Sequence, residues 1–212
     1  MRACLLPLTT LIALANGIAQ AEDRDYWQLR VGMEPGIDTA AFSVDQFSPL
    51  AGGTYDVESA SSLMLGVGYR ILDSRRRSGG AVSVLAELQL GNYSGDGQVD
   101  GTISVQTLSL NLGLDFLYRI GHETPIYLGA GPRFGLGYAR MSADEASGSG
   151  YFAQAGLGAV GYWQLDRFLL GVEAGFTGWM SNISAEDDNG SGFDVVYRGK
   201  GLSASFTLGY EF

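Results

Sequence analysis

Apolar and polar residues alternate along most of the chain, most regularly over its last twelve residues. In 201–212 every second residue is apolar, from Leu202 to Phe212, and the residues between them are glycines, hydroxyl residues and Glu211. Successive side chains of a β-strand point to opposite faces, so this stretch predicts a strand with one wholly apolar face. The same period of two recurs upstream and predicts an all-β chain.

Eight segments carry this alternation, and each is long enough to cross a membrane as a tilted strand of about 9–11 residues. They are approximately 26–34, 62–72, 81–92, 107–118, 125–140, 151–165, 168–177 and 201–212. The connections 35–61 and 181–198 are long and acidic, and we expect them to be loops. Alternate connections are shorter, as is typical of an up-and-down barrel with short turns at one end.

Two of the segments contain irregularities. In 151–165, a lipid-facing Leu157 would leave Val160 and Tyr162 pointing inward, and a bulge there would reset the phase. In 125–140, Pro132 cannot donate a hydrogen bond to a neighbouring strand. We therefore expect a bulge or a missing hydrogen bond near Pro132.

The amino-terminal residues have the pattern of a secretory signal. Arg2 precedes an apolar run over 5–15, and Ala19-Gln20-Ala21 matches an A-x-A cleavage site. We expect Sec-type export, cleavage near Ala21, and residues 22–212 as a single domain. The only cysteine, Cys4, lies within the signal, so a disulfide or thiolate metal site is not expected in the mature chain.

The net charge of −10 argues against a nucleic-acid partner. Charged residues are 17% of the chain, below the roughly 25% usual for soluble domains. The polar faces of the segments hold mainly Gly, Ser, Thr, Gln and Asn, with about one charge per strand. A soluble, lipocalin-type barrel would place this face in water and make it rich in charge. Small polar residues instead suit a narrow lumen.

Aromatic residues gather near the two ends of the segments, as in the two aromatic belts of membrane barrels. The expected periplasmic belt contains Tyr26, Trp27, Tyr69, Phe116, Tyr118, Trp163, Phe168, Tyr210 and Phe212. The expected outer belt contains Tyr93, Tyr138, Tyr151, Phe176 and Trp179. Together these patterns predict an eight-stranded antiparallel up-and-down transmembrane β-barrel.

The run YLGAGPRFGLGYAR over 127–140, the strand spacing and the terminal LGYEF resemble small eight-stranded outer-membrane proteins of the OmpA/OmpX/OmpW kind. The resemblance implies location in the bacterial outer membrane as a monomer. It also implies outer-membrane lipid and lipopolysaccharide as partners. Tyr210 and Phe212 resemble the assembly signal that the barrel-assembly machinery reads.

Candidate catalytic chemistry is sparse. Barrel enzymes of the outer membrane rely on a histidine with polar partners, but the single histidine, His122, lies in the turn 121–123 and is interpreted as solvated. The segment 187–190 offers oxygen ligands and a glycine without EF-hand spacing, so a solvated acidic rim is expected. No catalytic residue, cofactor or metal site is predicted.

Charges on the lumenal faces are more informative, because an unpaired charge in a narrow lumen costs several kcal/mol. We expect ion-paired networks, with Glu211 paired to Arg70, that plug the barrel; a thin wet channel is the alternative. The predicted network consists of Arg30, Arg70, Glu87, Asp115, Arg133, Glu173 and Glu211.

Two functions fit these features. The first is a non-enzymatic barrel with an envelope-structural or surface-interaction role. The second, implied by the resemblance to OmpW-like barrels, is a narrow channel or transporter for small or hydrophobic molecules.

Overall fold

The computed structural model describes residues 24–35, 38–45, 53–73, 79–97, 102–121, 125–143, 146–187, 190 and 192–211. Within these ranges the chain forms nine strands. They are β1 (Arg24–Pro35), β2 (Asp38–Asp45), β3 (Gly53–Asp73), β4 (Gly80–Gly97), β5 (Thr102–Ile120), β6 (Ile126–Ala143), β7 (Ala146–Leu165), β8 (Phe168–Asp187) and β9 (Gly192–Glu211).

The nine strands occupy eight positions of a closed ring. β1 and β2 each pair antiparallel with β3 on one side and with β9 on the other, so together they fill one position. The ring closes where β1 meets β9, from Tyr26 opposite Glu211 to Met33 opposite Ala204. Every other neighbouring pair is consecutive and antiparallel. The predicted eight-stranded antiparallel up-and-down barrel is therefore confirmed.

The strands extend further than the sequence predicted. Residues 35–61, expected to be a loop, contain β2 and the start of β3, and residues 181–198 contain the end of β8 and the start of β9. In the extensions of β8 and β9 the exposed residues include Ser184, Glu186, Asp194 and Arg198, so no regular apolar alternation marks them. Ser184 on β8, for example, donates a hydrogen bond of 2.9 Å to Asp194 on β9. Continued pairing satisfies the backbone groups that a loop would expose.

The expected bulge in the sixth predicted segment is wrong. β7 pairs with β6 and with β8 without any shift of register. Val160 and Tyr162 consequently point into the lumen, where 5% and 2% of their surfaces are exposed. The inward and outward directions of the residues in this segment looked inconsistent because every apolar side chain was assumed to face lipid. The lumen, however, also contains layers of apolar side chains.

Pro132 interrupts the pairing of β6 with β5 without a bulge. The pairing stops at Gly113 opposite Arg133 and resumes at Phe116 opposite Ala130 in the same register. On its other side Pro132 still pairs with Leu157 of β7. An interruption of pairing at the proline was expected, and the structure shows that it needs no extra residue.

Burial is inverted relative to a soluble protein. Leu136 and Leu157 on the outer surface are 72% and 69% exposed, whereas Arg70 and Asp115 inside are completely buried. A continuous apolar exterior is stable only against lipid, and a closed ring leaves no unpaired strand edge there. The architecture is that of a transmembrane barrel.

The aromatic belts need three corrections. Tyr26, Tyr93 and Trp179 are buried inside the barrel, because each lies on the same face of its strand as residues predicted to face the lumen. The remaining described members are on the exterior. They are Trp27, Tyr69, Phe116, Tyr118, Trp163, Phe168 and Tyr210 near one end, and Tyr138, Tyr151 and Phe176 near the other.

Some expectations fall outside the described residues, namely the signal over 1–21, His122 and Phe212. Across the described part of the chain, no helix combines the length and apolarity needed to cross a membrane.

Candidate functional site

Six of the seven predicted lumenal charges come together near the middle of the barrel. Period-two alternation turns them inward, and they arise from six different strands, β1, β3, β4, β5, β6 and β8. We call them, with Gln28 of β1, the charge ring. Its charged members are Arg30, Arg70, Glu87, Asp115, Arg133 and Glu173.

Arg70 forms the most buried part of the charge ring. Its Nη1 lies 2.7 Å from Asp115 Oδ2 and donates to Ser83 Oγ at 2.6 Å, and its Nε donates to Gln28 Oε1 at 2.8 Å. The guanidinium carbon lies 4.4 Å from the centre of the Tyr162 ring. The Tyr162 hydroxyl in turn donates to Asp115 Oδ2 at 3.1 Å. Arg70 is thus held by a carboxylate, two neutral acceptors and an aromatic face.

Arg133 connects the two carboxylates on either side of it. Its Nη1 is 2.6 Å from Asp115 Oδ1, and its Nε and Nη2 donate to the two oxygens of Glu173 at 3.1 and 3.0 Å. The paired contact with Glu173 is the strong bidentate geometry of arginine and carboxylate. It links β6 to β8 past the intervening β7.

Arg30 and Gln28 close the ring. Arg30 lies 3.6 Å from Glu173 Oε2 and 3.8 Å from Glu87 Oε1, and Gln28 Nε2 donates to Glu87 Oε2 at 3.2 Å. Because Gln28 also accepts from Arg70, the contacts form a continuous cycle. The cycle contains three arginines and three carboxylates, so its formal charge is zero. Balanced charge offsets the desolvation that burial imposes on each ion.

Glycines make room for the charge ring. A Cβ atom at Gly66 would lie 2.4 Å from Glu87 Cδ, and one at Gly158 would lie 2.6 Å from Glu173 Oε1. Both distances are shorter than atoms tolerate, so each carboxylate occupies space that only glycine leaves free. Part of the chain's high glycine content therefore has a direct structural reason.

Further layers lie beside the charge ring. Gln154 donates to Gln89 at 3.2 Å and to Asn111 at 2.6 Å, forming a neutral amide layer. Two apolar clusters fill the ends of the lumen. The outer aromatic cluster contains Tyr93, Val105, Ala139, Met141, Phe152, Trp179, Ile183, Ala185, Val195 and Tyr197. The periplasmic apolar cluster contains Tyr26, Leu72, Ala81, Leu117, Tyr127, Val160, Tyr162 and Leu169.

The outer aromatic cluster is closely packed. The ring centres of Tyr93 and Trp179 are 4.8 Å apart, those of Trp179 and Tyr197 are 4.6 Å apart, and those of Tyr93 and Phe152 are 5.9 Å apart. These are normal distances for interacting aromatic rings. Tyr197 lies in the part of β9 beyond its apolar outer stretch. The cluster is a filled core, continuous with the strand extensions.

Glu211 is not part of the charge ring, so its expected pairing with Arg70 is wrong. It lies at the rim of the barrel near the β7–β8 turn, where Arg24 Nη1 approaches its Oε2 at 2.9 Å and also donates to the backbone oxygen of Asp166 at 3.2 Å. Glu211 is close to the end of β9, whereas Arg70 is paired deeper in the lumen. A hydrogen bond with Tyr210 is the main factor that raises the pKa of Arg167 in the neighbouring turn.

Gln28, Ser83 and the residues of the amide layer lie on the polar faces that the sequence alternation identified, but the sequence did not predict that they bind the charges or one another. The contact of Tyr162 with Arg70 and Asp115 was also not predicted. Among the side chains that the structure describes, no group of three or more potential ligands is placed to hold a metal ion. The carboxylates of the charge ring are already held by arginines, so the arrangement is suited to closing the lumen.

The closed ring of strands, the apolar exterior and the buried charges define the class as an outer-membrane-type β-barrel. No protein-family model and no curated protein sequence matches the chain. Among solved structures, the chain is similar to the outer membrane protein OprG from Pseudomonas aeruginosa, with 14% identity, a TM-score of 0.47, and coverage of 91% of this chain and 97% of that one.

Two further solved structures are similar. Neisserial surface protein A (NspA) has 14% identity and a TM-score of 0.37, with 91% of this chain and 100% of that chain covered. The outer membrane protease OmpT from Escherichia coli has 10% identity and a TM-score of 0.26, with 92% and 100% covered. The class of the fold is established by the strand pairing and burial of the chain itself.

Proposed function

We propose that the protein is a non-enzymatic barrel of the bacterial outer membrane that contributes to the envelope or presents its outer surface, with its lumen closed to ions. The observation that carries this proposal is the continuous charge ring. Its side chains extend into the lumen from six strands and pair every arginine with at least one carboxylate. A barrel that serves as an open pore would not be expected to neutralise its own lumenal charges in this way.

The layers on either side of the charge ring support a closed lumen. A hydrated ion would have to pass two apolar clusters as well as the ring. Separating a buried arginine from its carboxylate leaves both charges unpaired, at a cost of several kcal/mol. Ion passage would therefore require side chains to rearrange in at least three layers.

The non-enzymatic part of the proposal is supported by the engagement of the lumenal acids. Asp115 contacts two arginines, and Glu173 likewise contacts two. Carboxylates held in this way are poorly suited to exchange protons with a substrate. Release of fatty acid from phospholipid vesicles, or cleavage of peptides, by the purified full chain would contradict this part.

Conductance in planar bilayers tests closure. Purified wild-type protein should insert without producing a steady ohmic current. Arg133→Ala should give intermittent or steady current, because it removes contacts to two carboxylates, whereas Arg140→Ala, on the exposed face of β6, should behave as wild type. Steady wild-type conductance that Arg133→Ala abolishes would overturn the proposal.

Transport of small hydrophobic molecules is the second candidate function. The observation that favours it is the apolar outer half of the lumen, where Trp179 lies beneath Gly199 with almost no space between them. Transport would require this cluster to open. Faster entry of an apolar fluorescent dye into liposomes carrying the protein, and a further increase with Trp179→Ala, would favour this function over a closed structural barrel.

The proposal includes export and assembly. Residues 1–21 would be removed near Ala21, and the barrel-assembly machinery would recognise the carboxyl-terminal aromatics Tyr210 and Phe212. The mature barrel would then stand as a monomer in lipid and lipopolysaccharide. Amino-terminal sequencing of protein from outer membranes tests the cleavage. Deletion of Phe212 should reduce the amount inserted, and normal insertion of that variant would contradict the assembly signal.

A further inference from the structure

The outer face of β9 changes character abruptly along its length. Alternate residues from Tyr210 back to Leu202 are apolar or alanine and exposed, as expected of a lipid-facing surface. The next two outward residues are Lys200 and Arg198, and both are exposed. The two cations therefore mark the outer boundary of the apolar surface on this strand.

A groove runs beside these cations on the outer surface of β7, β8 and β9. It has a volume of about 630 Å³. Its wall includes Ala153, Ala155 and Gly178, where large side chains are absent. A Cβ atom at Gly178 would find no neighbour closer than 3.9 Å, so the surface is open at that point. Pairing of Gly178 with Lys200, and of Met180 with Arg198, places both cations along the groove.

The groove carries two positive charges, whereas the chain as a whole is acidic. The net charge is −10, and Lys200 is the only lysine in the sequence. Within the described part of the chain, neither Arg198 nor Lys200 has an ion pair. In comparison, the arginines of the lumen are held by carboxylates. Although Asp38 of β2 lies opposite Lys200 in the strand register, the two exposed cations form no salt bridge with any carboxylate among the side chains that the structure describes.

We propose that this groove binds a phosphorylated glycolipid of the outer leaflet. Arg198 and Lys200 contact its phosphate, and an acyl chain lies along the shallow surface at Ala155 and Gly178. Cations near a membrane surface attract anionic headgroups, and small residues let a chain approach the wall closely. The inference rests on the proposed location in the outer membrane and adds a specific lipid site to it.

Charge removal gives the first test. Native mass spectrometry of the full-length barrel, titrated with bis-phosphorylated lipid A, should show that Arg198→Gln with Lys200→Gln weakens binding by about tenfold or more, since each cation near the surface contributes about 1 kcal/mol. Arg140→Gln with Arg167→Gln is the matched control. It removes the same charge from exposed sites outside the groove and should leave binding unchanged. An equal loss of lipid A binding in the control would mean that any exposed cation attracts the lipid, and it would overturn the proposed site.

Filling the groove gives the second test. Gly178→Leu should occupy the open wall and reduce lipid A binding several-fold. Gly161→Leu, also on the outer face but between Leu128 and Val172, is the control and should bind as wild type. Undiminished binding by Gly178→Leu would exclude the acyl chain from this position and contradict the proposal.

The nature of the lipid is tested with three further probes. Dephosphorylated lipid A should bind at least about tenfold more weakly than the bis-phosphorylated form, by the same estimate for two charges. Phosphatidylglycerol binding as tightly, or full competition by inorganic phosphate, would overturn the assignment to a glycolipid. Heat-modifiable gel mobility, measured on each sample, reports barrel formation separately. A folded, inserted barrel that does not bind lipid A would contradict this inference and leave the proposed function standing.

Discussion

The charge ring and the outer aromatic cluster occupy the same lumen but fill it in different ways. In the charge ring, each arginine has one or two carboxylate partners at 2.6–3.8 Å, and glycines on neighbouring strands leave space for two of the carboxylates. In the outer aromatic cluster, aromatic and aliphatic side chains of several shapes pack against one another. One region depends on matched pairs, and the other on filled volume.

Because of this difference, we expect the two regions to tolerate substitutions differently. A charge that loses its partner in the ring cannot find another, so errors there are costly. An apolar side chain that is replaced by another of similar size usually costs less than about 1.5 kcal/mol. The following variants test this contrast, from the largest expected effect to the smallest, through the free energy of unfolding in lipid vesicles.

Asp115→Ala should be the most destabilising, by about 4 kcal/mol, because it leaves the buried Arg70 and Arg133 without their shared carboxylate. Guanidinium titration followed by tryptophan fluorescence measures the change. The double variant Asp115→Leu with Arg70→Met removes a pair together and should lose less than Asp115→Ala alone. If the double variant loses more unfolding free energy than Asp115→Ala, then unpaired charge is not the main cause of the destabilisation.

Ile183→Ala should cost about 3 kcal/mol, because Ile183 is fully buried in the outer aromatic cluster and its removal leaves a cavity. The same titration applies. Ile183→Val, which removes one methylene, should cost about 1 kcal/mol. Similar losses for the two variants would show that the cluster is loosely packed and would remove the contrast with the charge ring.

Gly158→Val should cost about 2 kcal/mol, because its side chain would enter the space of the Glu173 carboxylate and displace it from Arg133. Thermal unfolding of the inserted barrel measures it. Gly161→Ala is the matched control, since an added Cβ atom there meets neighbours at ordinary contact distances of 3.4 and 3.6 Å. Equal stability of the two variants would contradict a tight fit at Glu173.

Glu211→Gln should have the smallest effect, below about 1 kcal/mol, because its ion pair with Arg24 is partly exposed at the rim. Its contribution should also decline as salt is added. Titrations at low and high salt measure both. A loss comparable with that of Asp115→Ala would mean that the rim pair is as important as the charge ring.

Strand number, pairing order and the inward direction of the six ring charges could be predicted from the sequence, because all three follow from period-two alternation. The alternation also identified the exterior residues of β9 and β4. It would have placed Tyr26, Tyr93 and Trp179 inside as well. The expectation of aromatic belts overrode it, since aromatic residues near strand ends were assumed to face lipid.

Other features depend on contacts that a sequence does not contain. Arg70 and Glu211 both lie opposite Tyr26 on the two sides of β1, so strand register alone does not separate them. Their side-chain contacts do, because Arg70 binds Asp115 and Glu211 binds Arg24. The extensions of β8 and β9 expose polar residues such as Ser184 and Asp194 and so carry no regular apolar signal. Gln28, Gln89 and Gln154 were visible as lumenal residues, but which of them meet depends on strand tilt across the barrel.

The contact between Arg30 and Glu173 also depends on correct closure of the barrel. Arg30 lies near the beginning of the barrel on β1, and Glu173 lies on β8, so they can meet only after β9 has paired with β1. A slip of one residue at that seam would turn every β1 side chain to the opposite face and direct Arg30 to lipid. The Arg30–Glu173 ion pair therefore requires both closure of the ring and the correct register at its seam.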